Sequence, residues 1–214
     1  MKQIAIYGAG GFGKEVMILL EHINAVTPKW QVTGFYDDGI EKNTLINGVT
    51  VLGGLEELKA VKVPTAVVIA IGDSNIRFII RSRLKNVNLE YPTLIHPRAI
   101  VGSYVNLGEG TIVTANTILT VNITVGKFVI INLACTVGHD AVLEDFTSFM
   151  PSVNISGGVI VRKGAYVGTG AQILNHLEIG AFTKVGAGAV VKESLPAHCT
   201  AVGVPAITVK YHKH

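Results

Sequence analysis

From Ile95 onward an aliphatic side chain returns at every sixth residue. The series passes through Val101, Leu107 and Val113 and ends at Val185 and Val191. It holds seventeen positions without an insertion, all aliphatic except Phe149. The next residue is often glycine, as at 102, 108, 126, 138, 168, 180 and 186. The fifth position is mostly small or β-branched, as at Ala99, Thr111, Cys135, Ala141, Ala165 and Ala189. A six-residue unit is too short for a helix pair but fits a short strand and a corner. Three units close a triangular coil, and stacked coils pair their strands in parallel around an aliphatic column. Each fully buried aliphatic contributes roughly 1.5–3 kcal/mol as an upper estimate. Sixteen hexads make a little over five coils, with flat, weakly charged faces suited to packing on other subunits.

Only 15% of the 214 residues are charged, and 18 basic against 15 acidic side chains leave +3. That composition excludes a disordered chain, and so weak a charge gives no reason to expect nucleic acid or an anionic membrane as partner. No apolar run reaches the length of a membrane span. The N-terminus, Met1-Lys2-Gln3-Ile4-Ala5-Ile6-Tyr7, enters a strand-like segment directly, without a signal-peptide pattern. Cys135 and Cys199 make no disulfide framework. A reducing, cytoplasmic setting is the expectation.

Before the repeat the chain reads differently, and the spacing divides it into residues 1–92 and 93–214. Gln3–Tyr7, Val32–Tyr36 and Ala66–Ile71 read as strands. Val16, Met17, Leu19, Leu20 and Ile23 recur at helical spacing, as do Leu55, Leu58 and Val61, and Ile76, Ile79, Ile80 and Leu84. Strand and helix in alternation imply a small parallel α/β sheet.

Two segments carry candidate chemistry. Gly8-Ala9-Gly10-Gly11-Phe12-Gly13 lies between a strand and a helix, with Asp37-Asp38 after the second strand. Such glycines let backbone approach a phosphate at a helix N-terminus, and an acidic side chain there accepts hydrogen bonds from a ribose or base. The plainer reading is a turn that only closes a strand–helix unit. One mononucleotide-sized half before the repeat favours a mononucleotide over a dinucleotide. The second segment is His139-Asp140, placed by the hexad register near the middle of a flat face. A histidine oriented by a carboxylate is a natural base near neutral pH; elsewhere such a pair would read as solvated surface. His96, before a proline, reads as structural, and His176 as polar surface. His212 and His214 read as solvated tail, and Cys135 as a small core residue rather than a nucleophile.

The hexad resembles the left-handed parallel β-helix of the hexapeptide-repeat acyltransferases. The whole chain resembles the NeuD/PglD-type sugar acetyltransferase family, in which a small Rossmann-like unit precedes that β-helix. The matching runs are the Tyr7–Gly13 loop, Phe35-Tyr36-Asp37-Asp38, Gly48–Leu58 and Ala70–Arg77. Ile95-His96-Pro97, Asn132–Asp140 and Val202–Ala206 follow. The resemblance implies a homotrimer with sites between neighbouring subunits' coils, and no metal. It implies that Gly10, Gly11 and Phe12 line the phosphate side of a nucleotide-linked sugar. Asp37 and Asp38 meet a uridine-like moiety, and Gly72 closes the pocket. It makes His139 the general base, with Asp140 where the family has Glu, and sets Asn132 near the acceptor sugar. The Gly157 N–H faces a thioester carbonyl, and Ser148, Thr169 and Ala187 line an acetyl-CoA groove. Phe12 and Ser148 stand where the family has histidine. The implied reaction is acetyl-CoA-dependent N-acetylation of a nucleotide-linked 4-amino-4,6-dideoxy sugar, by direct attack of the amine. Sugar O-acetylation and a non-catalytic nucleotide-sugar-binding protein stay open beside it; the repeat argues against an NAD(P) oxidoreductase.

Overall fold

The computed structural model describes residues 1–212. Its first ninety residues form a six-stranded sheet in the order β3-β4-β2-β1-β5-β6. The strands are β1 (Lys2–Tyr7), β2 (Trp30–Tyr36), β3 (Leu45–Ile46), β4 (Val49–Gly53), β5 (Thr65–Ile69) and β6 (Leu89–Glu90). Helices α1 (Gly11–Val26), α2 (Leu55–Lys59) and α3 (Ser74–Arg83) connect them. The two-residue alternation of β1 sorts the packing. Ile4 and Ile6 face α1, through Val16, Met17 and Leu20, whereas Ala5 and Tyr7 face α2 and α3, through Leu55, Leu58 and Ile80. All pairings are parallel except β3–β4, a hairpin closed by Asn47-Gly48 with φ of 48° and 80°. An Asn-Gly pair in that conformation is a strong hairpin signal, and the strand–helix reading passed over it. No helix among the described residues is long and apolar enough to cross a membrane.

From β7 (Leu94–Ile95) to β23 (Val190–Val191) the chain winds a left-handed solenoid of two-residue strands. Up to Gln172–Ile173 each strand pairs in parallel with the one eighteen residues on, as Ile112 with Ile130 and Thr136 with Asn154. Three flat sheets result. The first runs through β7, β10 (Ile112–Val113), β13 (Ile130–Ile131), β16 (Ser148–Phe149), β19 (Tyr166–Val167) and β22 (Lys184–Val185) and is extended by β24 (Cys199–Val202) and the antiparallel β25 (Ile207–Tyr211). The hexad aliphatics from Val113 to Val191 form one continuous core. The first coil departs from the expectation: Ile95 is 39% exposed and Val101 and Leu107 are only half-buried, because nothing stacks beneath them.

The corners obey a second six-residue rule that composition hides. Every sixth residue from Tyr104 to Gly188 has φ between 55° and 71°, and only five of these fifteen are glycine. The repeated glycines serve another purpose. A Cβ on Gly102 would lie 1.6 Å from the Thr120 carbonyl oxygen, so that glycine permits close stacking of coils rather than a turn.

One face and one edge of the solenoid are covered by the N-terminal unit. Leu94, Ile112 and Ile130, on the outer face of the first sheet, join the α1 core. At the corner between the third and first sheets, Phe128 and Phe146 stack at 5.2 Å, and Phe78 of α3 meets Phe146 edge-on at 5.3 Å. Arg77, 1% exposed, threads between the two units. It donates to the carbonyls of Phe128 (2.8 Å), Ile71 (2.6 Å) and Phe146 (2.8 Å) and to Ser148 Oγ (2.8 Å). Arg77 shares a helix face with Ile80 and Leu84; a charged residue on a buried stripe was the available sign of this clamp. His212 corrects its reading as solvated tail: its Nε2 lies 2.8 Å from Thr200 Oγ1, and its N–H donates to His198 O. His214 lies outside the described residues.

Candidate active site

The glycine loop leaves β1 and opens α1. Gly8 has φ +105°, and a Cβ on Gly13 would fall 1.9 Å from the Gly8 carbonyl oxygen, so the helix sits hard against the loop. Gly10 caps the helix without a side-chain bond, and α1 has no acid in its first turn. Nothing lies within 4 Å of a Cβ built on Gly10 or Gly11. The helix N-terminus is therefore open, with unpaired N–H groups and positive potential suited to a phosphate.

Asp37 and Asp38 first brace this loop. Asp37 accepts from the N–H groups of Ala9 and Gly39, both at 2.8 Å. Asp38 accepts from Tyr7 Oη (2.8 Å) and the Leu55 N–H (2.6 Å). Burial, and then that bond to Asp38, push the Tyr7 phenol above its ordinary range. The acidic pair also borders a cleft of about 310 Å³, with Lys42, Gly54 and Glu57 opposite. Asp37→Ala is expected to weaken nucleotide-sugar binding by releasing the loop, with acetyl-CoA affinity nearly intact. Equal losses for both ligands in calorimetry would contradict it.

His139 and Asp140 do not lie mid-face. They form the corner between β14 (Thr136–Val137) of the second sheet and β15 (Val142–Leu143) of the third. Asp140 supplies the left-handed turn, with φ 58°. The hexad identifies what points inward, but only the turn geometry places the residues between strands. His139 Nδ1 lies 2.7 Å from Asp140 Oδ2. A carboxylate only accepts, so Nδ1 carries the proton and the neutral ring presents a lone pair at Nε2. The His139 bond, followed by the Asn122 amide, holds the Asp140 carboxyl below the usual range.

One coil on, Gly157 occupies the equivalent corner between β17 (Asn154–Ile155) and β18 (Ile160–Val161). A Cβ there would come 2.5 Å from His139 Nε2. The Gly157 N–H has no acceptor among the described residues. A basic nitrogen and a free donor thus share one corner. Gly157→Ala is expected to displace the imidazole and lower kcat by about 10²-fold with an unchanged melting temperature. Undiminished turnover would show that the ring position does not matter.

The remaining candidates lie elsewhere. Thr169 and Ala187 form corners between the first and second sheets, where Asn132 also sits, 5% exposed. Asn132 Oδ1 accepts from the Leu133 N–H at 2.8 Å. Gly72 borders a cleft of about 250 Å³ with Asp73, Met150, Tyr166 and Lys184. Ser148 is a correction: it is wholly buried, with Oγ bonded to the Gly72 carbonyl (2.8 Å) and to Arg77, and so lines no groove. It faces out from the first sheet, but that face is covered by the N-terminal unit. Within one chain, then, His139, Asp140 and Gly157 share one corner, while Asn132, Thr169 and Ala187 share another. Cys135 is buried, and desolvation pushes its thiol up to about 11, far from a nucleophile's range. Among the described residues no three His, Cys, Asp or Glu side chains converge as a metal site.

A sequence model of the PglD N-terminal domain matches residues 3–84. A GDP-perosamine N-acetyltransferase of Escherichia coli O157:H7 is 31% identical, over 98% of this chain and 97% of that one. Among solved structures, WeeI from Acinetobacter baumannii AYE superposes with a TM-score of 0.89 at 36% identity, over 98% of this chain and all of the other. A histidine-to-asparagine variant of perosamine N-acetyltransferase from Caulobacter crescentus, in complex with CoA and GDP-perosamine, has a TM-score of 0.89 at 30% identity, over 98% of each chain.

Proposed function

The chain belongs to the PglD-type family of sugar N-acetyltransferases, and from that premise we propose that it transfers acetyl from acetyl-CoA to the amine of a nucleotide-linked 4-amino-4,6-dideoxy sugar. The observation that carries this reading is the corner where His139 Nδ1 meets Asp140 at 2.7 Å while Nε2 stands over Gly157. His139 Nε2 takes a proton from the acceptor amine as its nitrogen forms the new amide bond to the thioester carbon. The carbon–sulfur bond breaks, and CoA leaves as the thiolate. Gly157 N–H donates to the carbonyl oxygen as negative charge gathers there. The open N-terminus of α1 takes the diphosphate, and the cleft beside Asp37 and Asp38 takes the base, as guanosine or uridine. Relatives that bind or act on GDP-perosamine support testing guanosine first.

The geometry also supports an assembly. Base and donor lie on one corner, and the proposed coenzyme-lining Thr169 and Ala187 on another, with a whole sheet between them. In a trimer the first corner of one subunit meets the second corner of its neighbour and completes the site. Three chains of 22.7 kDa give a particle of about 68 kDa in light scattering; a monomer at micromolar concentration would remove the shared site. The function is tested by following thiol release from acetyl-CoA with GDP- and UDP-linked amino sugars and their hydroxyl counterparts. Release with amino sugars only is expected. Release with hydroxyl sugars only would replace N- by O-acetylation, and binding without release would leave a nucleotide-sugar-binding protein.

A further inference from the structure

The corner that holds His139 continues one coil down. Asn122 and Asp140 occupy equivalent left-handed turn positions eighteen residues apart, with φ of 55° and 58°. Asn122 Nδ2 donates to Asp140 Oδ1 at 3.2 Å, and His139 Nδ1 engages the other oxygen. The position directly above Asp140 is Gly158, which has no side chain, so the support comes from below. We infer that Asn122 is a positioning residue for the transfer reaction, fixing the Asp140 carboxylate so that its second oxygen holds the His139 ring with Nε2 over Gly157. This inference rests on His139 acting as base.

The turn alone accounts for an asparagine, since Asn adopts positive φ readily. It does not account for the amide reaching Asp140. Without that donor, the carboxylate can rotate and accept His139 Nδ1 from several directions. The Asp140 carboxyl is held low by its bond to His139, then by its bond to Asn122, with His139 and His176 beside it. Those two histidines are the titratable groups facing it.

Two substitutions separate turn from amide. Asn122→Gly keeps the left-handed backbone and removes only the donor. Asn122→Asp keeps the shape but sets an acceptor and a like charge against Asp140. With acetyl-CoA and GDP-perosamine as probes, Asn122→Gly is expected to lower kcat about tenfold, the loss of one charge-assisted hydrogen bond. KM for both substrates and the melting temperature should hold. Asn122→Asp is expected to lose more. Nitrogen-15 NMR of the imidazole needs no substrate and should show a smaller Nδ1–H fraction for His139 in Asn122→Gly, while the Asp140 carboxyl titrates higher. If His139→Ala is inactive yet both Asn122 variants keep wild-type kcat and an unchanged imidazole spectrum, the inference is overturned and the base assignment survives. Wild-type turnover by His139→Ala overturns both.

Discussion

Replacing His139 by alanine is expected to lower kcat by roughly 10²–10⁴-fold, with a smaller change in KM, because the proposed role of this residue is proton transfer in the transition state alone. Asp140→Asn should do less harm, since the amide oxygen still accepts from Nδ1 at 2.7 Å. The sign of the pH dependence follows from Asp140. Its carboxyl is held below the ordinary value, chiefly by the His139 bond, so the dyad stays intact above that value and fails only as pH falls through the depressed one. Protonation of Asp140 therefore does not set the acid limb near neutrality. With an amine acceptor, raising the pH should restore part of the His139→Ala loss, because more acceptor arrives unprotonated. A hydroxyl acceptor would give a larger and flatter loss. A pH–rate profile from 6 to 9 decides it: near wild-type turnover by the alanine variant throughout would place the base elsewhere.

The second large effect is expected at Arg77. Its guanidinium is 1% exposed, and burial lowers its pKa from the ordinary value. No carboxylate bonds it among the described residues; carbonyl dipoles and Ser148 Oγ surround it instead. Arg77→Ala leaves at least two buried carbonyls without their donor, at about 1–3 kcal/mol each, and opens a cavity beside the Phe128–Phe146 stack. A loss of about 3–5 kcal/mol follows, seen as a fall in Tm of about 10 °C. Arg77→Lys should rescue little, because one ammonium cannot span the carbonyls of Ile71, Phe128 and Phe146. Since Arg77 also donates to the Gly72 carbonyl at 3.3 Å, sugar-nucleotide affinity should fall as well. An unchanged melting curve for Arg77→Ala would show that the two units dock without the clamp.

The hexad by itself determined the triangular solenoid. Inward positions are dictated by exclusion of water, and water is excluded identically in every coil, so Val113 to Val191 could be read off in register. The alternation of β1 and the apolar stripe of α1 determined the parallel α/β unit for the same reason. Outward and corner positions carry no such signal. Phe128, Asp140 and His176 all take the same left-handed turn, and their meaning comes from what stands eighteen residues away or what docks from outside. Tertiary structure therefore decided that Ser148 is buried under the N-terminal unit and that Asp37 ties down the glycine loop. It also decided that His139 stands at a corner over Gly157. Likewise, only stacking put Asn132, Thr169 and Ala187 on a different edge from His139. Thr169 and Ala187 lie whole hexads from His139 along the chain, but the edge each reaches depends on the remainder after eighteen, and that period exists only once three strands have closed a coil.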